Sequence, residues 1–220
     1  MDQQKICFIL CGNNAQLEQQ CIRFIQALSV PEGFETEYQI IHGARSMTAG
    51  YNEAMRRSDA KYKIYLHQDV YLVNKNLLLE LLKIFEDPAI GMVGMVGSPK
   101  MPAHGIMWDA PRIGRWYECN IISAGEYGCD SLQKPVTPVE AVDGMFLATQ
   151  YDLPWRDDLF HGWDFYDISQ SFEFRRKGYQ VVVPYIERAW CLHNDGILNL
   201  KDYFHWQEVF LKEYGEMLHE

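Results

Sequence analysis

Basic residues are scarce in this sequence. Lys and Arg number 20 against 30 Asp and Glu, leaving a formal net charge of -10 over 220 residues. A general nucleic-acid binder normally presents a basic face, so that class is set aside. A small anionic ligand stays compatible, because a divalent cation can neutralise a pyrophosphate where no Lys/Arg cluster does. Long hydrophobic runs are also missing. Ile6 to Cys11 is too short for a bilayer span or a signal-peptide core, and Leu77 to Phe85 is broken by Glu80 and Lys83. The expectation is a chain with no transmembrane segment, located in the cytoplasm. Cysteine occurs without pattern: Cys7, Cys11, Cys21, Cys119, Cys129 and Cys191 form no Cys-x-x-Cys pair and no zinc-finger spacing, so buried free thiols are expected. No repeat, low-complexity run or linker is visible, which predicts a single domain over 1–220.

Hydrophobic residues make up 48% and aromatic residues 14% of the chain, too much for a disordered segment. The first half alternates strands and helices. Lys5 to Cys11 reads as a buried strand, and Gly12-Asn13-Asn14 as a turn that can cap a helix. Leu17, Cys21, Phe24, Ile25 and Leu28 recur at helical spacing. Strands follow at Glu37 to Ile41, Tyr62 to Leu66 and Ile90 to Val96, with helices at Ala49 to Arg57 and, capped by Asn74, through Leu77 to Phe85. This order predicts an α/β fold, a mostly parallel sheet covered by helices on both faces, with ligands beyond the carboxyl ends of the strands. From 98 to 138 the pattern dissolves. Pro99, Pro102, Pro111, Pro135 and Pro138 interrupt it, and a long functional loop is expected there, its tryptophans either contacting a ligand or packed as a lid. Regularity returns with Val139 to Thr149, a helix from Phe165 to Lys177 closed by Gly178, strands at Tyr179 to Val183 and Arg188 to Leu192, and an amphipathic helix over 199–218.

Three places can carry chemistry. The third strand runs into His67-Gln68-Asp69, and side chains two apart on an extended segment point the same way, so His67 and Asp69 can face one ligand. On pattern alone a strand-end turn with a solvated Asp and a packed His comes first. Asp164 and Asp167 flank the start of the late helix. Asp164 can be its N-cap and Asp167 a residue of its first turn, or one of them can be a general base kept ionised by the helix N-terminus. His193 ends an apolar strand, where a lone His is more often structural than a ligand.

In this order the elements resemble the family 2 glycosyltransferases of the GT-A fold, nearest to a subgroup whose Asp-x-Asp motif reads His-Gln-Asp. The resemblance runs from Ile6 to Gly196 through Ser46-x-x-Ala49-Gly50-Tyr51-Asn52, Tyr65-Leu66-His67-Gln68-Asp69-Val70, Val142-Asp143-Gly144, Phe165-Tyr166-Asp167-Ile168 and His193. It implies a nucleotide-sugar donor of UDP or GDP type held by Cys11, Gly12, Asn13 and Ser46. It further implies a divalent metal, Mn2+ or Mg2+, on Asp69 and His193, and a catalytic base at Asp167. His67 stands where the usual motif has its first Asp. An imidazole can meet ribose or phosphate, or ligate Mn2+, but suits Mg2+ poorly. Asp143, Gly144 and Trp163 are candidates for the acceptor side, with Trp108 and Trp116 as further stacking surfaces.

The reaction expected is inverting transfer to an acceptor hydroxyl with metal assistance. Two other readings stay open: a metal-dependent hydrolase using His67, Asp69, His161 and His193, and a non-catalytic relative that binds a nucleotide sugar without turnover. Homo-oligomerisation through the C-terminal helix is likewise left open.

Overall fold

The computed structural model describes residues 1–128, 134–196 and 199–218. The first stretch holds β1 (Asp2–Gly12), α1 (Ala15–Gln26), β2 (Glu35–His42), α2 (Met47–Arg57), β3 (Ala60–Leu66), β4 (Val70–Leu72), α3 (Leu77–Ile84), β5 (Ile90–Gly94), β6 (Val96–Ser98), β7 (Ile113–Asn120) and β8 (Ala124–Gly128). The remainder holds β9 (Val136–Val139), β10 (Ala141–Val142), β11 (Phe146–Thr149), α4 (Tyr166–Arg176), β12 (Gln180–Pro184), β13 (Cys191–Gly196) and α5 (Tyr203–Tyr214).

The main sheet has strand order β2-β1-β3-β11-β5-β12-β9. Strands β2, β1 and β3 are mutually parallel, as are β5 and β12, whereas β11 runs antiparallel between β3 and β5 and β9 runs antiparallel at the edge. Burial on both faces explains the continuous apolar run of β1, in which Ile6 through Leu10 are all 0% exposed. Ile6, Phe8 and Leu10 pack with α1 and α3, through Cys21, Ile25, Leu77, Leu78 and Leu81. Cys7 and Ile9 face the opposite way, toward Met47, Tyr51 and Ala54 of α2 and Tyr166 and Phe174 of α4. The expected α/β architecture with helices on both faces is therefore present, but its sheet is mixed where a mostly parallel one is expected, because β11 and β9 run antiparallel.

A second sheet, β10-β6-β7-β13-β4 with β8 paired to β7, covers the carboxyl ends of the first. It corrects the expectation of an irregular loop over 98–138, since β7 and β8 form an antiparallel hairpin inside that segment. The hairpin escaped the pattern because every residue of β8 is exposed and β7 is buried mainly in its first half, so neither shows apolar alternation. Asn14 caps α1 through its side chain, accepting from the backbone N–H groups of Gln16 and Leu17. Asn74 does not cap α3. The N-cap is Asn76 without a side-chain bond, and the Asn74 carboxamide accepts from the Asn76 N–H. Helix α4 ends as expected before Gly178, whose φ of 83° suits glycine.

Most of the apolar face of α5 is spent inside the chain. Tyr203, Phe210 and Tyr214 cluster with Phe165, Ile168 and Phe172, leaving Phe204 and Leu200 exposed. No helix among the described residues is long and apolar enough to cross a membrane. Cys7, Cys11, Cys21, Cys119 and Cys191 are free, and Cys129 lies outside the described residues.

Candidate active site

A cavity of about 1120 Å3 opens where the carboxyl ends of β1 and β3 meet the second sheet and the start of α4. Such crevices are where open α/β sheets hold ligands, because the strands end there and the loops diverge.

Strand β3 ends at Leu66, and His67, Gln68 and Asp69 make the turn into β4. Antiparallel pairing of β4 with β13 sets His193 opposite Val70, and the Asn194 N–H donates to the Asp69 carbonyl at 3.0 Å. Three donor atoms thus converge from positions 126 residues apart in sequence. His67 Nδ1 lies 3.4 Å from His193 Nε2, His193 Nε2 lies 3.6 Å from Asp69 Oδ1, and His67 Nδ1 lies 4.0 Å from Asp69 Oδ1. A point in their plane equidistant from all three is about 2.1 Å from each, the bond length of a divalent first-row ion to nitrogen or oxygen. Asp69 Oδ1 is buried and has no hydrogen-bond partner. An orphaned buried carboxylate oxygen is costly, and a cation is the partner this donor set fits. Burial, reinforced by the neighbouring His193, holds the His67 pKa below its usual value, while Asp69 and Asp143 oppose the shift. A neutral imidazole is what ligation requires.

Helix α4 supplies the second group. Phe165, its N-cap residue, adopts φ 59° and makes no side-chain cap bond. Asp167 Oδ2 accepts the Gly144 N–H at 2.8 Å. A base kept ionised by the helix N-terminus is one of the alternatives the sequence leaves open; at Asp167 the carboxyl is instead pushed up to about 7, by burial first and then by the charge of Asp143. Backbone N–H groups of Ile168, Asp167 and Gly144 pull the other way and are outweighed. Asp143 is itself buried, with Oδ1 accepting the Met145 N–H at 2.9 Å. Tyr166 links the two halves of the site, because its hydroxyl is hydrogen-bonded to His67 Nε2.

Residues 7–214 match the profile described as a glycosyltransferase like family. The chain belongs to this family. It is 24% identical over 219 residues to the streptomycin biosynthesis protein StrF of Streptomyces griseus, covering 95% of this chain and 74% of StrF. Among solved structures it resembles the mannosyltransferase PcManGT of Pyrobaculum calidifontis, in complex with GDP-Man and Mn2+, at TM-score 0.59 and 12% identity, over 96% of this chain and 64% of that one. It also resembles residues 1–349 of S. aureus TarS in complex with UDP, at TM-score 0.57 and 10% identity, over 95% of this chain and 65% of that one. The glycosyltransferase therefore spans just under two thirds of these two chains, and the likeness shows the GT-A fold.

The cavity of the glycosyltransferase gathers nearly every residue expected from the sequence. Cys11, Gly12, Asn13, His67, Asp69, Asp143, Gly144, Trp163, Asp164, Asp167 and His193 all line it. Ser46 does not. It is buried as the N-cap of α2, where its hydroxyl accepts the Ala49 N–H and bonds Thr48. Asp164 does not cap α4, since the left-handed turn at Phe165 separates it from the first helical turn. It is half-buried in the cavity wall, and burial and then Asp202 raise its pKa. His161 lies outside the cavity lining, hydrogen-bonded at 3.3 Å with the Asp158 carbonyl, so the four-residue set of a hydrolase does not assemble. Trp108 and Trp163 stand exposed at the mouth, whereas Trp116 is packed and donates through Nε1 to Glu118 at 3.0 Å.

Two contributors, Gln68 and Tyr166, carried no role in the sequence-based expectations. Gln68 Oε1 accepts the N–H groups of Asn13 and Asn14, each at 2.9 Å, clipping the loop after β1 to the turn that follows β3. Its signal was the motif itself, whose middle residue is usually passed over. Tyr166 and Gly144 fit each other, because a Cβ on residue 144 would overlap the Tyr166 hydroxyl.

Proposed function

We propose that this glycosyltransferase moves a sugar from a UDP- or GDP-linked donor to an acceptor hydroxyl, with inversion and with a divalent cation on His67, Asp69 and His193. The observation that carries the reading is the donor triangle, with its orphaned Asp69 oxygen, in the same cavity as the half-buried carboxylate of Asp167. The whole of 1–220 acts as one domain in this reading. The cation would neutralise charge building on the departing diphosphate. Two imidazoles and one carboxylate suit Mn2+ better than Mg2+, which prefers oxygen donors and retains its waters. The PcManGT complex, which contains Mn2+ and GDP-Man, agrees with that preference.

Cys11, Gly12 and Asn13, with apolar Ile41, Ala44 and Met47 beside them in the cavity wall, form the nucleotide end. The thiol of Cys11 is pushed up to about 12 by burial, so it serves as a packing surface and not as a nucleophile. Asp167 takes the proton of the acceptor hydroxyl while that oxygen bonds the anomeric carbon and the bond to the diphosphate oxygen breaks. Burial and then Asp143 raise the basicity of Asp167, which favours uptake of that proton. Trp163 and Asp164, at the outer wall, face the acceptor.

The test is release of nucleoside diphosphate from a panel of UDP- and GDP-sugars, with and without hydroxyl acceptors, in Mn2+, Mg2+ or chelator. Acceptor-dependent release in Mn2+, giving a product of inverted anomeric configuration by proton NMR, is the expected result. Retention of configuration removes Asp167 as base, full activity in chelator removes the cation, and donor binding without release under any condition supports the non-catalytic alternative.

A further inference from the structure

His67 meets two different neighbours through its two ring nitrogens. Nδ1 faces His193 Nε2 and Asp69 Oδ1, and Nε2 is hydrogen-bonded to the hydroxyl of Tyr166. A neutral imidazole carries a single N–H, so ligation through Nδ1 requires the proton to sit on Nε2. We propose that Tyr166 is a positioning residue for the metal site, its hydroxyl accepting the Nε2–H of His67 and thereby holding a bare Nδ1 toward Asp69 and His193. The inference rests on the metal reading above and adds a residue to which no role in that site has been given.

The phenol cannot drift from this post. Tyr166 is 3% exposed, and its ring packs against Tyr51 at 5.8 Å and Trp155 at 6.1 Å. Its hydroxyl occupies the space that a side chain on residue 144 would fill. Phe165, the one non-glycine residue with positive φ among those described, turns the chain so that Tyr166 and Asp167 both enter the site. Such a conformation persists where the surroundings over-determine it. Here the Phe165 ring is held between Tyr203 at 4.9 Å and Phe210 at 5.5 Å. Adjacent residues of one helical turn therefore grip a metal ligand, through Tyr166 and His67, and the Gly144 N–H, through Asp167. The partner that orients a ligating imidazole is part of the metal site as much as the ligand is.

The experiment uses the full chain, Mn2+ alone as probe, and Tyr166→Phe, which keeps the ring and removes the acceptor. Free Mn2+ is followed by its paramagnetic resonance signal, and Tm is measured alongside. The variant should bind Mn2+ about 10- to 100-fold more weakly, a change that a purely structural ring would not produce. Affinity within twofold of the unsubstituted protein overturns the proposal and leaves the metal reading standing. Absence of Mn2+ binding by the unsubstituted protein overturns both. If Tyr166→Phe does not fold, long-range proton–nitrogen spectra of the unsubstituted chain loaded with diamagnetic Zn2+ decide. A protonated Nε2 on His67 supports the role, and a protonated Nδ1 ends it.

Discussion

Replacing Asp167 with Asn should slow the enzyme and stabilise it at the same time. The carboxyl is pushed from its ordinary 3.8 up to about 7 by burial and by Asp143. Below about pH 4 it is protonated in both the folded and the unfolded chain, and no difference arises. Between about pH 4 and 7 the unfolded chain gives up the proton while the folded chain keeps it, so stability falls as pH rises; above about 7 the loss is complete. At about 1.4 kcal/mol per pH unit the interval corresponds to roughly 4 kcal/mol at most. Asn presents a neutral oxygen to the Gly144 N–H and escapes the repulsion by Asp143. Allowing for relaxation around a buried pair, the gain at pH 8 is about 1–3 kcal/mol, or roughly 3–10 °C in Tm for a chain of this size. Turnover falls by about two to four orders of magnitude, the usual worth of a positioned base. The assay pairs thermal unfolding of the metal-free protein at pH 5 and pH 8 with initial rates of nucleoside diphosphate release. A variant no more stable than the parent at pH 8, or a gain equal at both pH values, would refute the electrostatic argument. Normal turnover would refute the base assignment.

Asp69→Ala removes an orphaned acceptor at a strand end, so Mn2+-dependent nucleotide binding should vanish by calorimetric titration while the fold is retained. Gly144→Ala places a methyl group on the Tyr166 hydroxyl, and overpacking of about 1–3 kcal/mol is expected in denaturant unfolding, together with weaker Mn2+ binding. Gln68→Ala frees the backbone of Asn13 and Asn14 from its clip. The two backbone hydrogen bonds among those lost, at about 0.5–1.5 kcal/mol each, predict nucleotide affinity weaker by roughly tenfold, with Mn2+ affinity in the absence of nucleotide within about threefold of the parent.

The alternation of apolar strands and helices through Val96 was legible because each of those elements carries its own period. Five buried residues in a row in β1 require a sheet covered on both faces, and Leu77, Leu78 and Leu81 mark the buried side of α3. The turn His67-Gln68-Asp69 was visible for the same reason, as polar residues ending an apolar strand. The hairpin β7/β8 was not legible, since its exposed half needs no apolar alternation. Nor was the mispairing of Asp164 with a capping role, which the left-handed turn at Phe165 cancels. His193 reads as an isolated histidine until β13 pairs with β4 and sets it beside Asp69. Asp167 reads as a carboxylate kept ionised by a helix end until burial and Asp143 are placed around it, and together they outweigh three backbone donors. Periodicity is a property of neighbours along the chain, so the sequence alone determined where the strands and helices through Val96 lie. Ligand convergence and a raised carboxyl depend on groups tens to more than a hundred residues away, and only the packed sheets bring those within the few ångströms over which such interactions act.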